Sequence, residues 1–267
     1  MQAADLDRSP AGSDVPRGSE EPWYVRSFGR DYLELYRHRD REEARQAVAL
    51  AVEELALVPS AAVLDLGCGA GRHLEALRDR GFAPVGLDLS RVLLCEAKRR
   101  GAAPGLVRGD MRWLPFVDGV FDAVLSFFTS FGYFADDSEN QAVLREVRRV
   151  LRPGGGFLLD FLNRDHVLRH GPRDTREVRG GCVIHQARRV DPERDAILKT
   201  ITITPRSGRP GEVRSYRESV RLYSPAALTS LADEAGLAAV ARRGTWTGDP
   251  FRTSSPRFIL FCRKQPL

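Results

Sequence analysis

The chain is poor in cysteine, in lysine and in long apolar runs. Its four cysteines (Cys68, Cys95, Cys182 and Cys262) stand far apart, and none forms a C-x-x-C pair. That spacing argues against a zinc site and against a disulfide framework. Isolated thiols suit a reducing compartment, so a cytoplasmic location is expected. No apolar stretch approaches the ~18–20 residues that cross a bilayer, and no membrane partner is expected. The N-terminus, M-Q-A-A-D-L-D-R-S-P-A-G-S-D, holds acids and lacks an apolar core, so it does not read as a secretory signal. Lysine occurs only as Lys98, Lys199 and Lys264, so arginine supplies nearly all of the positive charge. The formal net charge of +5 raises the question of a nucleic-acid partner. Against it, the arginines are scattered among acids rather than massed on one segment.

What is present is an ordinary globular composition. Hydrophobic residues make up 42% and charged ones 29%, enough for one sizeable packed core. Residues 1–22, rich in Ser, Pro, Gly and Asp, are expected to form a disordered tail. The aromatic segment W-Y-V-R-S-F-G-R-D-Y-L-E-L-Y follows and suits a short helix. Asp40 with Glu43 three positions on forms a capping box. The helix it opens has Ala44, Ala47, Val48, Ala51, Val52 and Leu55 on one face, and Pro59 lies just past its end. Residues 23–59 together read as an N-terminal helical lid.

From Ala62 short apolar runs alternate with amphipathic stretches. A-V-L-D-L, P-V-G-L-D, G-L-V-R-G-D, F-D-A-V-L-S-F and G-F-L-L-D-F read as strands. H-L-E-A-L-R-D-R, R-V-L-L-C-E-A-K-R-R and E-N-Q-A-V-L-R-E-V-R-R-V-L have helical spacing. This alternation predicts an α/β fold with a parallel sheet covered on both faces. The rhythm changes after Asn163. T-R-E-V-R-G-G-C-V-I-H-Q-A-R-R-V, A-I-L-K-T-I-T-I-T and V-R-S-Y-R-E-S-V-R-L-Y read as strands joined by D-P-E-R-D and R-S-G-R-P-G-E turns. Residues 164–223 are therefore expected to be an antiparallel insertion. Ser224 caps a further helix ended by Gly236, and A-A-V-A-R-R-G-T-W and R-F-I-L-F-C-R-K supply two closing strands.

The sharpest signal is V-L-D-L-G-C-G-A-G-R at 63–72. A strand runs into Gly67, Gly69 and Gly71 and a helix follows, which lets a ligand approach the backbone at a helix N-terminus. Asp88 closes the next strand about 20 residues on, where an acid can bind ribose hydroxyls. A dinucleotide fingerprint would need its third glycine at position 72, which is Arg72. The observed G-x-G-x-G preceded by Asp65 instead resembles motif I of the class I S-adenosylmethionine-dependent methyltransferases. G-D-M-R-W-L-P-F at 109–116, F-D-A-V-L-S-F at 121–127 and L-R-P-G-G-G-F-L-L-D at 151–160 resemble later elements of that family, in order. G-C-G-A-G-R-H and S-F-F-T-S-F-G-Y-F are similar to its bacterial small-molecule branch, in which an antiparallel insertion follows the fifth strand and covers the acceptor pocket.

The resemblance implies a doubly wound, seven-stranded Rossmann-like sheet over 60–163 and 224–267, with S-adenosyl-L-methionine as donor and S-adenosyl-L-homocysteine as product. It implies donor contacts from Asp65 and Arg72 to the charged methionine end and from Asp110 and the Met111 backbone to the adenine. Leu89, beside Asp88, and Ser126, closing the fourth strand, join the same set. Tyr32, with Trp23, Tyr24, Phe28 and Tyr36, could fold over the donor, a tyrosine near its sulfonium. An amine acceptor needs no general base, whereas a phenol or carbon acid does. Tyr133 and His166 are the candidate catalytic residues, with His170 and His185 as weaker ones; Phe127, Phe128, Phe131, Tyr133 and Phe134 also suit an apolar pocket wall. No acid or histidine cluster has metal-ligand spacing, so metal-free chemistry is expected. A small-molecule acceptor is the leading reading. An RNA-modifying enzyme, a non-catalytic nucleotide-binding regulator and a nicotinamide-linked reductase stay open as rivals, and so does a homodimer.

Overall fold

Which strand residues face which helices decides the fold here. The computed structural model describes residues 21–36, 41–206 and 212–266. Most of the expected tail, Asp40 of the capping box and the middle of R-S-G-R-P-G-E lie outside them. In chain order the elements are α1 (Trp23–Arg26), α2 (Arg30–Leu35), α3 (Arg41–Glu54), β1 (Val63–Leu66), α4 (Arg72–Arg78), β2 (Val85–Asp88), α5 (Arg91–Arg99), β3 (Gly105–Arg108), β4 (Phe121–Ser126), α6 (Asp137–Val150) and β5 (Leu151–Leu162). After them come α7 (Arg164–His170), β6 (Thr175–Arg179), β7 (Cys182–Asp191), β8 (Ala196–Pro205), β9 (Arg214–Arg221), α8 (Pro225–Glu234), β10 (Leu237–Arg243) and β11 (Arg257–Lys264).

Seven strands form one sheet in the order β10-β11-β5-β4-β1-β2-β3. The pairs from β3 through β5 are parallel, and β11 is antiparallel to both β5 and β10. This is the doubly wound arrangement the apolar runs imply. Along β5, Phe157, Leu159 and Phe161 enter one core with Val143, Leu144 and Val147 of α6 and Leu228 of α8. Leu158 points the other way, into a core with Val48 and Ala51 of α3 and Leu77 of α4. Burial on both faces explains why these strands read as unbroken apolar runs. Ser224 caps α8 as expected, its hydroxyl accepting from the Ala227 amide at 3.1 Å. The parallel strands share a carboxyl end, where open α/β sheets place their ligands.

Three local readings need correction. The aromatic N-terminal segment folds as two helices rather than one, broken at 27–29 where Gly29 is extended (φ −105°, ψ −156°). The stretch read as a single strand from Thr175 doubles back at Gly180 and Gly181, whose φ values are 56° and 76°. Positive φ at both central residues is what a two-residue hairpin turn demands, and Gly-Gly supplies it. The insertion is thus a four-stranded antiparallel sheet, β6-β7-β8-β9. Finally, L-R-P-G-G precedes the fifth strand as a turn in the sequence reading, yet Leu151 already pairs with Phe121 before a register shift.

The insertion sheet carries α2. Asp31 is held by an ion pair from Arg214 and by the Tyr216 hydroxyl. Lys199 donates to the Tyr36 hydroxyl, and Arg179 donates to the Leu35 carbonyl at 2.7 Å. Leu35 completes an apolar contact with Ile184, Ile201 and Ile203. On the other side, the Ser90 hydroxyl donates to the Phe28 carbonyl at 2.6 Å, tying the segment to the main sheet.

Candidate active site

The glycine turn after β1 begins the site. Gly67 and Cys68 both donate to the Leu87 carbonyl, at 2.8 and 3.0 Å, which pins the turn to the end of β2. Gly67 has φ 79°, and a Cβ there would fall 2.8 Å from Ser130 Cβ, so only glycine lets the loop after β4 lie against the turn. Asp88, at the tip of β2, accepts from the Gly69 amide at 2.8 Å through one oxygen and from the Ser90 amide at 2.8 Å through the other. Each carboxylate oxygen keeps a second lone pair for a hydroxyl, so the bracing of the turn leaves capacity for a ribose.

Asp65 lies under the turn, 1% exposed, and neither of its oxygens has a hydrogen-bond partner. Burial, and next the charge of Asp88, push its pKa up to about 8, with Arg72 opposing. A buried carboxylate without partners is costly unless a donor or a cation arrives. An ammonium group beside it would supply both, and the methionine end of S-adenosylmethionine carries one. The residues present therefore fit that group.

A cavity of about 770 Å³ opens over the turn. Of the residues marked in the sequence for donor contact, Tyr32, Gly67, Gly69, Arg72, Asp88, Leu89, Asp110 and Met111 line it, and so does Tyr133. Asp110 is held by Arg112, whose Nη2 reaches it at 2.6 Å and whose backbone amide donates at 2.9 Å. Arg72 pairs with Glu43 of α3 at 3.0 Å, and its guanidinium lies 4.6 Å from the centre of the Phe128 ring.

Other marked residues fall elsewhere. Asp65 and Gly71 are not in the cavity wall; a Cβ on Gly71 would meet Ala102 at 2.5 Å and Ala97 of α5 at 3.2 Å, so its bareness serves packing against α5. Ser126 is 2% exposed and still within the β4–β5 pairing, whereas Ser130, four residues on, lines the cavity. His166 does not reach the cavity. It sits on α7, capped by Asn163, with Nδ1 3.3 Å from the Ser254 carbonyl and its ring 4.2 Å from His170. His185 is exposed beside Asp174 on the insertion sheet.

The aromatic wall is built from two segments. Phe127, Phe128, Tyr133 and Phe134 line one side, while Phe131 is buried in the core. Tyr24, Phe28, Tyr32 and Tyr36 line the other. They meet ring to ring: Phe28 stacks on Tyr133 at 5.7 Å, Trp23 packs its edge on Tyr133 at 5.0 Å, and Tyr24 does so on Phe134 at 5.3 Å. Among the described residues, none from 164–223 lines this cavity. The insertion meets the site through α1 and α2, which rest on β8 and β9. His73, one residue past Arg72 in G-R-H, was passed over in the sequence. It lines the cavity, 5% exposed, stacked on Phe127 at 4.2 Å. Among the described residues no group of acids, histidines and cysteines is arranged to hold a metal ion, and no helix is long and apolar enough to cross a membrane.

Comparison with known proteins agrees with this geometry. Residues 63–155 match the methyltransferase domain family. The cypemycin N-terminal methyltransferase of a Streptomyces species is 29% identical over 218 residues, 76% of this chain and 83% of its own. The solved CcbJ methyltransferase from Streptomyces caelestis has a TM-score of 0.76 at 23% identity, covering 90% of this chain and 98% of the other. CalS10, an amino pentose methyltransferase from Micromonospora echinaspora solved with S-adenosylmethionine bound, has a TM-score of 0.63 at 20% identity over 92% and 100%.

Proposed function

We propose that this chain, which belongs to the class I S-adenosylmethionine-dependent methyltransferases, methylates a small-molecule acceptor by in-line displacement without a metal. The observation that carries the reading is one cavity lined both by the glycine turn and by two sets of aromatic rings that meet ring to ring. A concave, aromatic-walled space suits a small acceptor better than a polymer laid across a surface.

When bound, S-adenosylmethionine supplies an electrophilic methyl carbon on a sulfonium. In this reading Asp65 meets the ammonium and Arg72 the carboxylate, while Asp88 and Leu89 take the ribose and Asp110 and Met111 the adenine. Tyr32 closes over the top, and Tyr133 stands at the acceptor's side of the chamber. The rest of the catalysis is positioning: holding nucleophile and methyl carbon aligned can contribute ~7–11 kcal/mol through effective molarity. The tail before α1 lies outside this scheme. Residues 23–59 act as a lid, and 164–223 as the platform that carries it.

Of the relatives reported above, one is named an N-terminal methyltransferase and another an amino pentose methyltransferase; further relatives are named for demethylmenaquinone and for O-methylation of a malonyl carrier protein. An amine acceptor asks least of the chamber, since it need only enter in its neutral form. The test is a panel of amines, phenols and carboxylates scored by S-adenosylhomocysteine release. Turnover with one or more small amines is expected. Turnover confined to bulk tRNA would contradict the proposal.

A further inference from the structure

Phe128 and Thr129, directly after β4, both take left-handed backbone with φ 57°. Residues with side chains seldom do so, and two in succession need something to hold them there. The holder is visible. The Phe128 amide donates to Asp160 Oδ2 at 2.6 Å, and the Thr129 amide donates to the Asp160 carbonyl at 3.1 Å. Arg257 of β11 clasps the same carboxylate, Nε to Oδ1 at 2.5 Å and Nη2 to Oδ2 at 2.6 Å. Asp160 is wholly buried in the middle of the sheet.

The turn so held reaches straight into the cavity. Phe127, Phe128 and Ser130 line it, and the Ser130 side chain occupies the space that a Cβ on Gly67 would fill. Two guanidiniums lie over the Phe128 ring, Arg72 at 4.6 Å and Arg257 at 5.5 Å from its centre. The buried Asp160–Arg257 ion pair is a poor way to stabilise a fold, because an apolar pair of similar size is commonly as good or better. We propose that Asp160 and Arg257 are positioning residues of the donor site, imposing the left-handed turn that seats Phe128 and Ser130 against the glycine turn. This rests on the reading that the cavity takes an adenosyl donor.

The test is calorimetric titration of S-adenosylhomocysteine into the full chain, at a temperature where circular dichroism shows each variant folded. A merely structural pair would lower Tm and leave that dissociation constant alone. Asp160→Asn is expected to raise Kd tenfold or more, and Arg257→Lys, which keeps the charge and loses the fork, threefold to tenfold. Thr129→Gly, free to take positive φ unaided, is expected to recover at least a third of the lost affinity in the Asp160→Asn background. Should Asp160→Asn fail to fold, the Arg257→Lys pair with and without Thr129→Gly answers the same question. Unchanged Kd in folded Arg257→Lys, or no recovery with glycine, overturns the proposal. A wild-type chain that fails to bind counts against the donor reading itself.

Discussion

A single carboxylate at the tip of β2 braces the glycine turn, and a substitution separates that bracing from the proposed donor contact. Asp88 braces the turn through two backbone amides and faces the cavity. Asp88→Ala is expected to weaken S-adenosylhomocysteine binding by about 1–3 kcal/mol, as loss of hydrogen bonds to a charged group does, and to lower Tm as well. Lowered Tm with unchanged affinity would leave only the bracing role. Asp65 offers a pH signature. Its folded pKa of about 8 lies above the value of a free carboxylate, so the folded state holds a proton that the unfolded chain has released. Stability from this group is full below the unfolded pKa and falls as pH rises towards 8. Asp65→Asn removes that loss, so its Tm relative to wild type should climb between pH 5 and 8, a trend that thermal melts across buffers would show or refute. The glycines, Asp65 and Asp88 were legible because they sit at fixed offsets from one strand. Ser130 and His73 were not, since their places depend on a bend after β4 and on a helix face that no local pattern marks.

At the scale of elements, the short helices α1 and α2 are held from outside rather than by their own length. Helices of this size are marginal without partners, and α2 finds its partners on β8 and β9 through Asp31, Arg214, Tyr216 and Lys199. Asp31→Ala should therefore loosen the segment and speed release of S-adenosylhomocysteine roughly threefold to tenfold, the equivalent of one or two lost hydrogen bonds. Stopped-flow release followed by tyrosine and tryptophan fluorescence would measure it, and an unchanged off-rate would detach this segment from donor binding. The strand–helix alternation from Ala62 was readable because the central strands β1, β4 and β5 are buried on both faces. The hairpin at Gly180–Gly181 was missed although Gly-Gly between β-branched runs is itself a turn signal. The link between insertion and lid was beyond reach, since Asp31 and Tyr216 lie far apart in the chain and carry no shared motif.

The whole molecule places its chemistry where the sheet's topology directs it. Strand order brings β1 between β2 and β4, so the glycine turn, Asp88 and the aromatic loop after β4 converge at one end. The N-terminal segment, carried on the insertion sheet, lines the same cavity through Tyr24, Phe28, Tyr32 and Tyr36. The central claim is that the convergence holds an adenosyl amino acid. Isothermal titration of S-adenosylhomocysteine into the wild-type chain tests it most directly: saturable heat at one ligand per chain is predicted, with none from NAD under the same conditions. A flat titration with S-adenosylhomocysteine beside a clean NAD isotherm would contradict it.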